Sequence, residues 1–406
     1  MKIMITGASG SIGREIVPLL KKKNVELLLV GRDINKLKAL FPSHHVTTYE
    51  NLEIDAHGCN ALVHLAVMNN NNSKKLDEFR AVNVTLLETV LNSARAAGVK
   101  TFINTTTLHV SQTGSLSSYA QTKREAEAVL SLIDDIAVVN LRLPAVYGST
   151  LTGKLGIILK LPAYLRPIAF QCLASLKATV NVELVATAIL NSARKGISTE
   201  TIISDRQSGN LVYKTTKRIL DIAFALFVII ILWWVLLSAW LAVRLTSSGP
   251  GIFAQQRVGK DNRTFTCYKF RTMSLGTKEA GTHEMTADSV TTIGRFLRKS
   301  KIDELPQVWN ILKNELSLVG PRPCLPVQQE LITARSDQGV LDEIGGITGW
   351  AQIHNVDMSE PDRLARLDAD YLALRTIPLD LKILLLTAIG KGRGDRLKAL
   401  TSKDSL

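Results

Sequence analysis

The chain has 406 residues, room for two or three domains, and a net charge of +13 with aromatics at only 5%. Its mean hydropathy of +0.13 is high for a basic soluble protein, and basic plus apolar points to an anionic membrane surface or phosphorylated substrates. Nucleic acid is disfavoured because no basic stripe is interleaved with aromatics. Four scattered cysteines without a CxxC pair argue against a disulfide framework, and seven histidines show no metal-ligand spacing, His44-His45 included.

The chain opens on MKIMITGASGSIGREIVPLL, which predicts a buried strand, a glycine turn and a helix. No signal-peptide pattern precedes it, so a folded, cytosolic N-terminus is expected. Gly7, Gly10 and Gly13 allow a backbone to approach a pyrophosphate, and the helix N-terminus offers N–H groups to the anion. A second strand, VELLLV, follows at βαβ distance and ends in Gly31-Arg32-Asp33. Arg32 there suits a 2′-phosphate, favouring NADP(H) over NAD, with a surface turn residue as the alternative. Strands ALVHLA, TFINTT and AVVNLRL alternate with helical patterns, which implies a parallel, doubly wound sheet. The asparagine run at 69–72 reads as a loop. Tyr119 and Lys123, four apart, share a helix face, where an ammonium would lower the phenol pKa for proton exchange. Thr107 adds a hydroxyl at a strand end.

These pieces, TGASGSIG, VHLA, Val82-Asn83, TTTLHV, YAQTK and RLPAVYG, resemble the extended short-chain dehydrogenase/reductases, the NAD-dependent epimerase/dehydratase family. The resemblance implies Tyr119 as acid/base, Lys123 as its tuner and ribose ligand, Thr107 in the usual serine's place, and Asn83 near the cofactor. The portion after Gly148 is shorter than the family's substrate-binding part.

Residues 222–243, IAFALFVIIILWWVLLSAWLAV, carry no charge and are long enough to cross a bilayer core. Lys214, Lys217 and Arg218 precede the segment and Arg244 follows it, so flanking charge selects no direction. From residue 213 to 300 there are 13 Lys/Arg against 5 Asp/Glu.

Beyond it, Arg257, Lys269, Arg271, Arg298 and Arg322 offer forked or point contacts to phosphate oxygens. Pro321 and Pro323 stiffen the loop that presents Arg322. In KIDELPQVWN, Pro306 suits a helix first turn, and Leu305, Val308, Trp309, Leu312 and Leu316 predict its buried face. Asp303 and Glu304 then fall near a helix N-terminus that favours ionised carboxylates, as cap residues or as a nucleophile and Mg2+ ligands. Residues 379–391 read equally as an interfacial or a core helix.

KFRTM, DELPQ, LVGPRP and GITGWAQ, in this order, resemble the bacterial sugar transferases, monotopic phosphoglycosyl transferases. The resemblance implies Asp303 as the nucleophile that takes a phosphosugar from a UDP-sugar, releases UMP and hands it to undecaprenyl phosphate. Glu304 would assist and share Mg2+ with Asp303; Lys269, Arg271, Arg298, Pro321 and Arg322 would form the phosphate site. Two departures stand out: Ile344-Gly345 where the family has Arg-Pro, and IHNVD, with Asp357, where it has an Arg after WAQ. Asp368 and Asp380 match acidic positions of the family.

A spanning segment would separate the two sets of cytosolic substrates that the resemblances imply; the transferase resemblance implies instead a re-entrant helix that enters and returns on one face, with Trp233-Trp234 near its expected break. The expected fold is therefore α/β: a Rossmann-type doubly wound parallel sheet over 1–210, a re-entrant membrane helix over 214–246, and a mainly helical α/β transferase domain over 247–406. The expected protein is a bifunctional enzyme at the cytoplasmic face of the bacterial inner membrane, contacting membrane lipid, with a homodimer left open. A second reading makes the first domain a non-catalytic nucleotide-binding module that regulates the transferase.

Overall fold

The computed structural model describes residues 1–68, 75–108, 117–149, 153–274, 276 and 289–392. The asparagine run at 69–72 and His109-Val110 of the TTTLHV stretch lie outside them. The chain divides into two compact units, Met1–Phe170 with Lys177–Asp205, and Gln171–Leu176 with Arg206–Leu406.

The first unit alternates strand and helix: β1 (Lys2–Thr6), α1 (Ser11–Lys22), β2 (Glu26–Val30), α2 (Ile34–Leu40), β3 (His45–Thr47), α3 (Leu52–Asp55) and β4 (Ala61–His64). Helix α4 (Leu76–Arg80) runs through a π-helical turn, Ala81–Thr85, into α5 (Leu86–Ala96). Then come β5 (Thr101–Thr107), α6 (Ser118–Leu130), β6 (Ala137–Leu143), β7 (Ala145–Tyr147), the start of α7 (Arg166–Leu176, whose last six residues belong to the second unit), β8 (Thr179–Asn181), α8 (Val182–Lys195) and β9 (Thr199–Ile202). Seven strands form one sheet in the order β3-β2-β1-β4-β5-β6-β9, every pair parallel.

Parallel strands are covered on both faces, and the sequence shows it as near-continuous apolar runs. Ile3 and Ile5 point with Val17, Leu20 and Ile189 into one core, while Met4, Leu62 and Phe102 join Leu87, Val90 and Leu130 in the other. This is the doubly wound sheet expected, and its order reverses direction at β1/β4, the switch point where such sheets bind ligands.

In the second unit, α9 (Leu211–Ile230) and α10 (Trp233–Thr246) hold the apolar segment. No single helix among the described residues is long and apolar enough to cross a membrane; these two pass together and are bent by 64°. No proline makes the bend. It falls where Ile229, Ile230 and Ile231 meet Trp233 and Trp234, the β-branched and aromatic types whose χ1 freedom a helix restricts most. The polar start of α9 is bonded into the second unit. Arg218 caps the carbonyls of Ile311 and Leu312 at 2.7 and 3.1 Å, Lys217 donates to the carbonyl of Val319, and Asp221 accepts from Leu318 N at 2.8 Å.

A hairpin, β10 (Ile252–Val258) and β11 (Thr264–Phe270), follows, then α11 (Thr292–Ser300) and α12 (Val308–Leu312). Next come β12 (Leu316–Val319), α13 (Gln329–Asp337), β13 (Gly345–Thr348), α14 (Trp350–Ile353), α15 (Pro361–Leu374) and α16 (Ile377–Ala388). Strands β12 and β13 pair in parallel. Two apolar positions depart from expectation. Trp309 is exposed and Leu316 lies in β12, because α12 ends at Leu312 and Asn314 turns the chain with φ +61°. Helix α16 buries Ile383 in the core and leaves Leu381 and Leu385 exposed.

Two candidate active sites

In the first unit, the chain leaves β1 through Gly7 at φ +74°. A Cβ on Gly7 would meet Ala66 N at 2.5 Å, and one on Gly13 would meet Gly7 O at 2.6 Å. Gly10 is the N-cap of α1 and supplies no side-chain acceptor to the first-turn N–H groups. The cradle therefore fits a pyrophosphate. At the end of β2, Asp33 is spent as the N-cap of α2, accepting from Lys36 N at 2.9 Å, which leaves exposed Arg32 as the charged group beside it.

Helix α6 starts at its cap Ser117, whose hydroxyl accepts from Ala120 N at 3.2 Å, and carries Tyr119 and Lys123 one turn apart. Burial raises the Tyr119 phenol above its ordinary pKa, and a hydrogen bond with Thr107 draws it part of the way back. Lys123 is 2% exposed and donates to the carbonyl of Thr105 at 3.0 Å. Burial brings its ammonium down to about 8, against the pull of Glu127. The phenol is thus raised by burial, where the sequence reading expected the lysine to lower it. Asn83 sits in the π-helical turn, a form common at functional sites, and accepts from Met68 N at 2.8 Å while donating to Thr122 at 3.1 Å. It braces the loop after β4 against α6. Sequence reasoning missed His64, fully buried, paired through Nδ1 with the Thr6 hydroxyl at 2.9 Å and brought down to about 3 by burial and then by Lys123.

In the second unit, α11 ends on Lys301 in the left-handed conformation, φ +59°, and a 3₁₀ turn, Ile302–Gln307, leads into α12. Asp303 and Glu304 lie inside that turn, each 8% exposed. Lys269 of β11 donates to Glu304 Oε1 at 2.9 Å, and Arg322 donates to the same oxygen at 2.8 Å. Burial opposes ionisation of Glu304, but Arg322, Lys269 and Lys301 outweigh it and hold the carboxyl well below the usual range. No cation is hydrogen-bonded to Asp303 among the described residues, and the pull of Lys269, Arg298 and Lys301 on it is the weaker influence. Burial first, and the neighbouring Glu304 charge second, push it up to about 6. Arg298 donates to Thr272 at 3.0 Å, and its buried Nη1 has no acceptor among the described residues, so a phosphate oxygen suits it. Arg271 is turned to the carbonyl of Pro250 at 3.0 Å and lies over the Phe253 ring.

Among the described residues, no group of three His, Cys, Asp or Glu side chains is placed to cage a metal. Adjacent carboxylates with one cation-bound member fit instead the way Mg2+ is usually held, by one or two carboxylates plus substrate phosphates. Beside Glu304 opens a cavity of about 280 Å³ walled by Phe224, Leu305, Val308, Ile347 and Leu384.

Backbone carbonyls fix the Arg322 loop. Prolines donate nothing, yet each carbonyl of residues 321–323 has a donor: Gly346 N on Pro321 at 2.9 Å, Arg335 on Arg322 at 2.9 Å, and Arg257 on Pro323 at 3.0 Å. Arg335 is 1% exposed and is itself held by Asp368 at 2.7 Å. Asp380 accepts from Tyr213 at 2.8 Å and Tyr371 at 2.7 Å. The two departures from the transferase pattern have local reasons. A Cβ at Gly345 would meet Pro323 at 2.8 Å. Asp357 caps Ser359 N at 2.9 Å.

Two family models match: residues 3–169 the NAD dependent epimerase/dehydratase family, and residues 212–391 the bacterial sugar transferases. The Bacillus subtilis protein named uncharacterized sugar transferase EpsL is 40% identical over 172 residues, covering 42% of this chain and 84% of EpsL. The UDP-glucose:undecaprenyl-phosphate glucose-1-phosphate transferase of Xanthomonas campestris is 31% identical, covering 52% of this chain and 47% of that protein. The chain thus spans about half the length of that relative. Among solved structures, the Bordetella bronchiseptica enzyme WbmG in complex with NAD aligns at TM-score 0.41 and 20% identity, covering 50% of this chain and 72% of that one.

Proposed function

Since the chain belongs to the bacterial sugar transferase family and carries an epimerase/dehydratase segment ahead of the transferase, we propose a bifunctional enzyme of bacterial surface glycan assembly. The second unit moves sugar-1-phosphate from a UDP-sugar to undecaprenyl phosphate at the cytoplasmic face of the inner membrane. The bent pair α9–α10 enters and leaves the bilayer on that face. The first unit reduces or epimerises the UDP-linked sugar with NADP(H).

The observation that carries the transferase reading is the unequal pair: Glu304 fixed as an anion by two cations, and Asp303 beside it raised to about 6. At neutral pH Asp303 is mostly ionised yet more basic than an ordinary aspartate, as a nucleophile should be. One Asp303 oxygen bonds the β-phosphorus as the bridging oxygen leaves with UMP. An undecaprenyl phosphate oxygen then attacks the same phosphorus and returns the carboxylate. Arg298 and Arg322 hold phosphate oxygens, and the apolar cavity beside Glu304 takes the start of the isoprenoid chain. Asp303 and Glu304 would hold Mg2+, which would supply charge neutralisation at the diphosphate.

In the first unit, Tyr119 exchanges a proton with the sugar oxygen, Thr107 positions that oxygen, and Lys123 supports the phenol and a ribose. The glycine cradle would hold the pyrophosphate and Arg32 a 2′-phosphate of the dinucleotide, whose chemistry there would be hydride transfer.

The test is a panel of UDP-sugars with NADPH and undecaprenyl phosphate, reading UMP release. Wild type releases UMP with at least one sugar, and Asp303→Asn releases none; retention of UMP release by that variant refutes the assignment.

A further inference from the structure

After β7, and running into the first turn of α7, the first unit carries a stretch for which the proposed chemistry has no use. All ten residues from 159 to 168, LKLPAYLRPI, are exposed, with Tyr164 at 77% and Ile168 at 58%. A single exposed leucine is ordinary, but Leu159, Leu161, Tyr164, Leu165 and Ile168 in one run mark a contact surface.

The stretch is held, not loose. Ile158 at one end is fully buried, and Phe170 at the other packs on Tyr147 with ring centroids 4.7 Å apart. Arg166 staples the middle, donating from Nε to the carbonyl of Leu161 at 3.0 Å and from Nη2 to that of Leu159 at 3.1 Å. Folding has built a fixed projection that presents apolar side chains to the outside.

Charge selects the occupant. From Ser149 to Val182 there is no Asp or Glu, while Lys154, Lys160, Arg166 and Lys177 are all present. A second copy docking on this face would set like charges against each other. An anionic bilayer offers what this segment matches: an acyl boundary for Leu, Ile and the tyrosine ring, and phosphates for the cations. We propose that the 159–168 segment, short helical turns that lead into α7, inserts into an anionic leaflet, giving the first unit a lipid contact of its own, separate from the α9–α10 pair.

The test uses the full chain with Cys172→Ser, since Cys172 is the exposed cysteine and Cys59, Cys267 and Cys324 are buried. Ile168→Cys is labelled with an environment-sensitive fluorophore, and the protein is reconstituted in phosphatidylcholine vesicles with or without phosphatidylglycerol. With phosphatidylglycerol, the emission shifts to the blue and nitroxide-bearing lipids quench it; without it, both effects are small. Lys160→Gln lowers the inserted fraction relative to the free one roughly fivefold, the effect of one cation near an anionic surface. A label at Ile54, 72% exposed in the same unit, stays in water throughout. The proposal is overturned if the Ile168 label stays in water in both lipids, or is shielded equally in both whatever residue 160 is. Shielding that grows with protein density in place of lipid charge assigns the segment to a second copy and equally overturns it.

Discussion

Lys123 and Glu304 are both ionisable side chains almost withdrawn from water, and the two units treat them oppositely. Lys123 receives one backbone carbonyl and falls to about 8, within reach of losing its proton. Glu304 receives two cations on one oxygen and is locked as an anion. Their reactive neighbours resemble each other more closely: Tyr119 and Asp303 are both raised by burial. Burial alone therefore does not decide charge; the number of opposite charges brought into the same dry space does. The first unit is arranged for moving protons, the second for holding a fixed field around phosphorus.

That contrast can be broken experimentally. The largest effect is expected from Tyr119→Phe, which removes the proton path and lowers keto-sugar-dependent NADPH oxidation about 10²- to 10⁴-fold, with UMP release unchanged. NADPH oxidation that survives, or is absent from wild type too, favours the non-catalytic reading of the first unit. Next is the buried pair behind Arg322. Arg335→Met strands Asp368 and costs about 3–5 kcal/mol by denaturant unfolding. Adding Asp368→Leu restores much of that stability but not the rate of UMP release, because the Arg322 carbonyl still lacks its donor.

Arg32→Ala is expected to shift preference from NADP(H) towards NAD(H) by roughly 10- to 100-fold, the scale of a charge-assisted phosphate contact. Isothermal titration with both cofactors reads it. The smallest effect concerns the coupled carboxylates. UMP release should rise with pH through an apparent pKa of about 6, as Asp303 ionises. Glu304→Gln removes the like charge and should move that limb down by about one pH unit or less. Asp303 also carries a stability sign. Its folded pKa lies above its unfolded value, so its contribution is full below the unfolded value and lost as pH rises through about 6. Asp303→Asn should therefore melt higher than wild type at neutral pH, measured by calorimetry.

Much of this architecture was legible in the sequence because its signals are local. The glycine turn, the four-residue Tyr119–Lys123 spacing and the DELPQ turn each fit within one element, and the sheet's strands announce themselves as apolar runs. What stayed hidden depends on distance. Arg335 reaches the Arg322 carbonyl from 13 residues away, and Arg257 reaches Pro323 from 66, and no periodicity encodes either. The bend at Ile231-Leu232 was placed near the tryptophans, but its cause had to be sought in crowding, since no proline marks it. Trp309 deceived because an apolar spacing cannot show where α12 stops.

The Pro321–Pro323 loop has one more consequence. With two of its three backbone N–H groups missing, its backbone is held through its carbonyls, by Gly346, Arg335 and Arg257, each from a different segment. Inheritance of the Arg322 position is thereby spread over the chain. Drift at any of the three donors re-aims one guanidinium while leaving the LVGPRP stretch untouched.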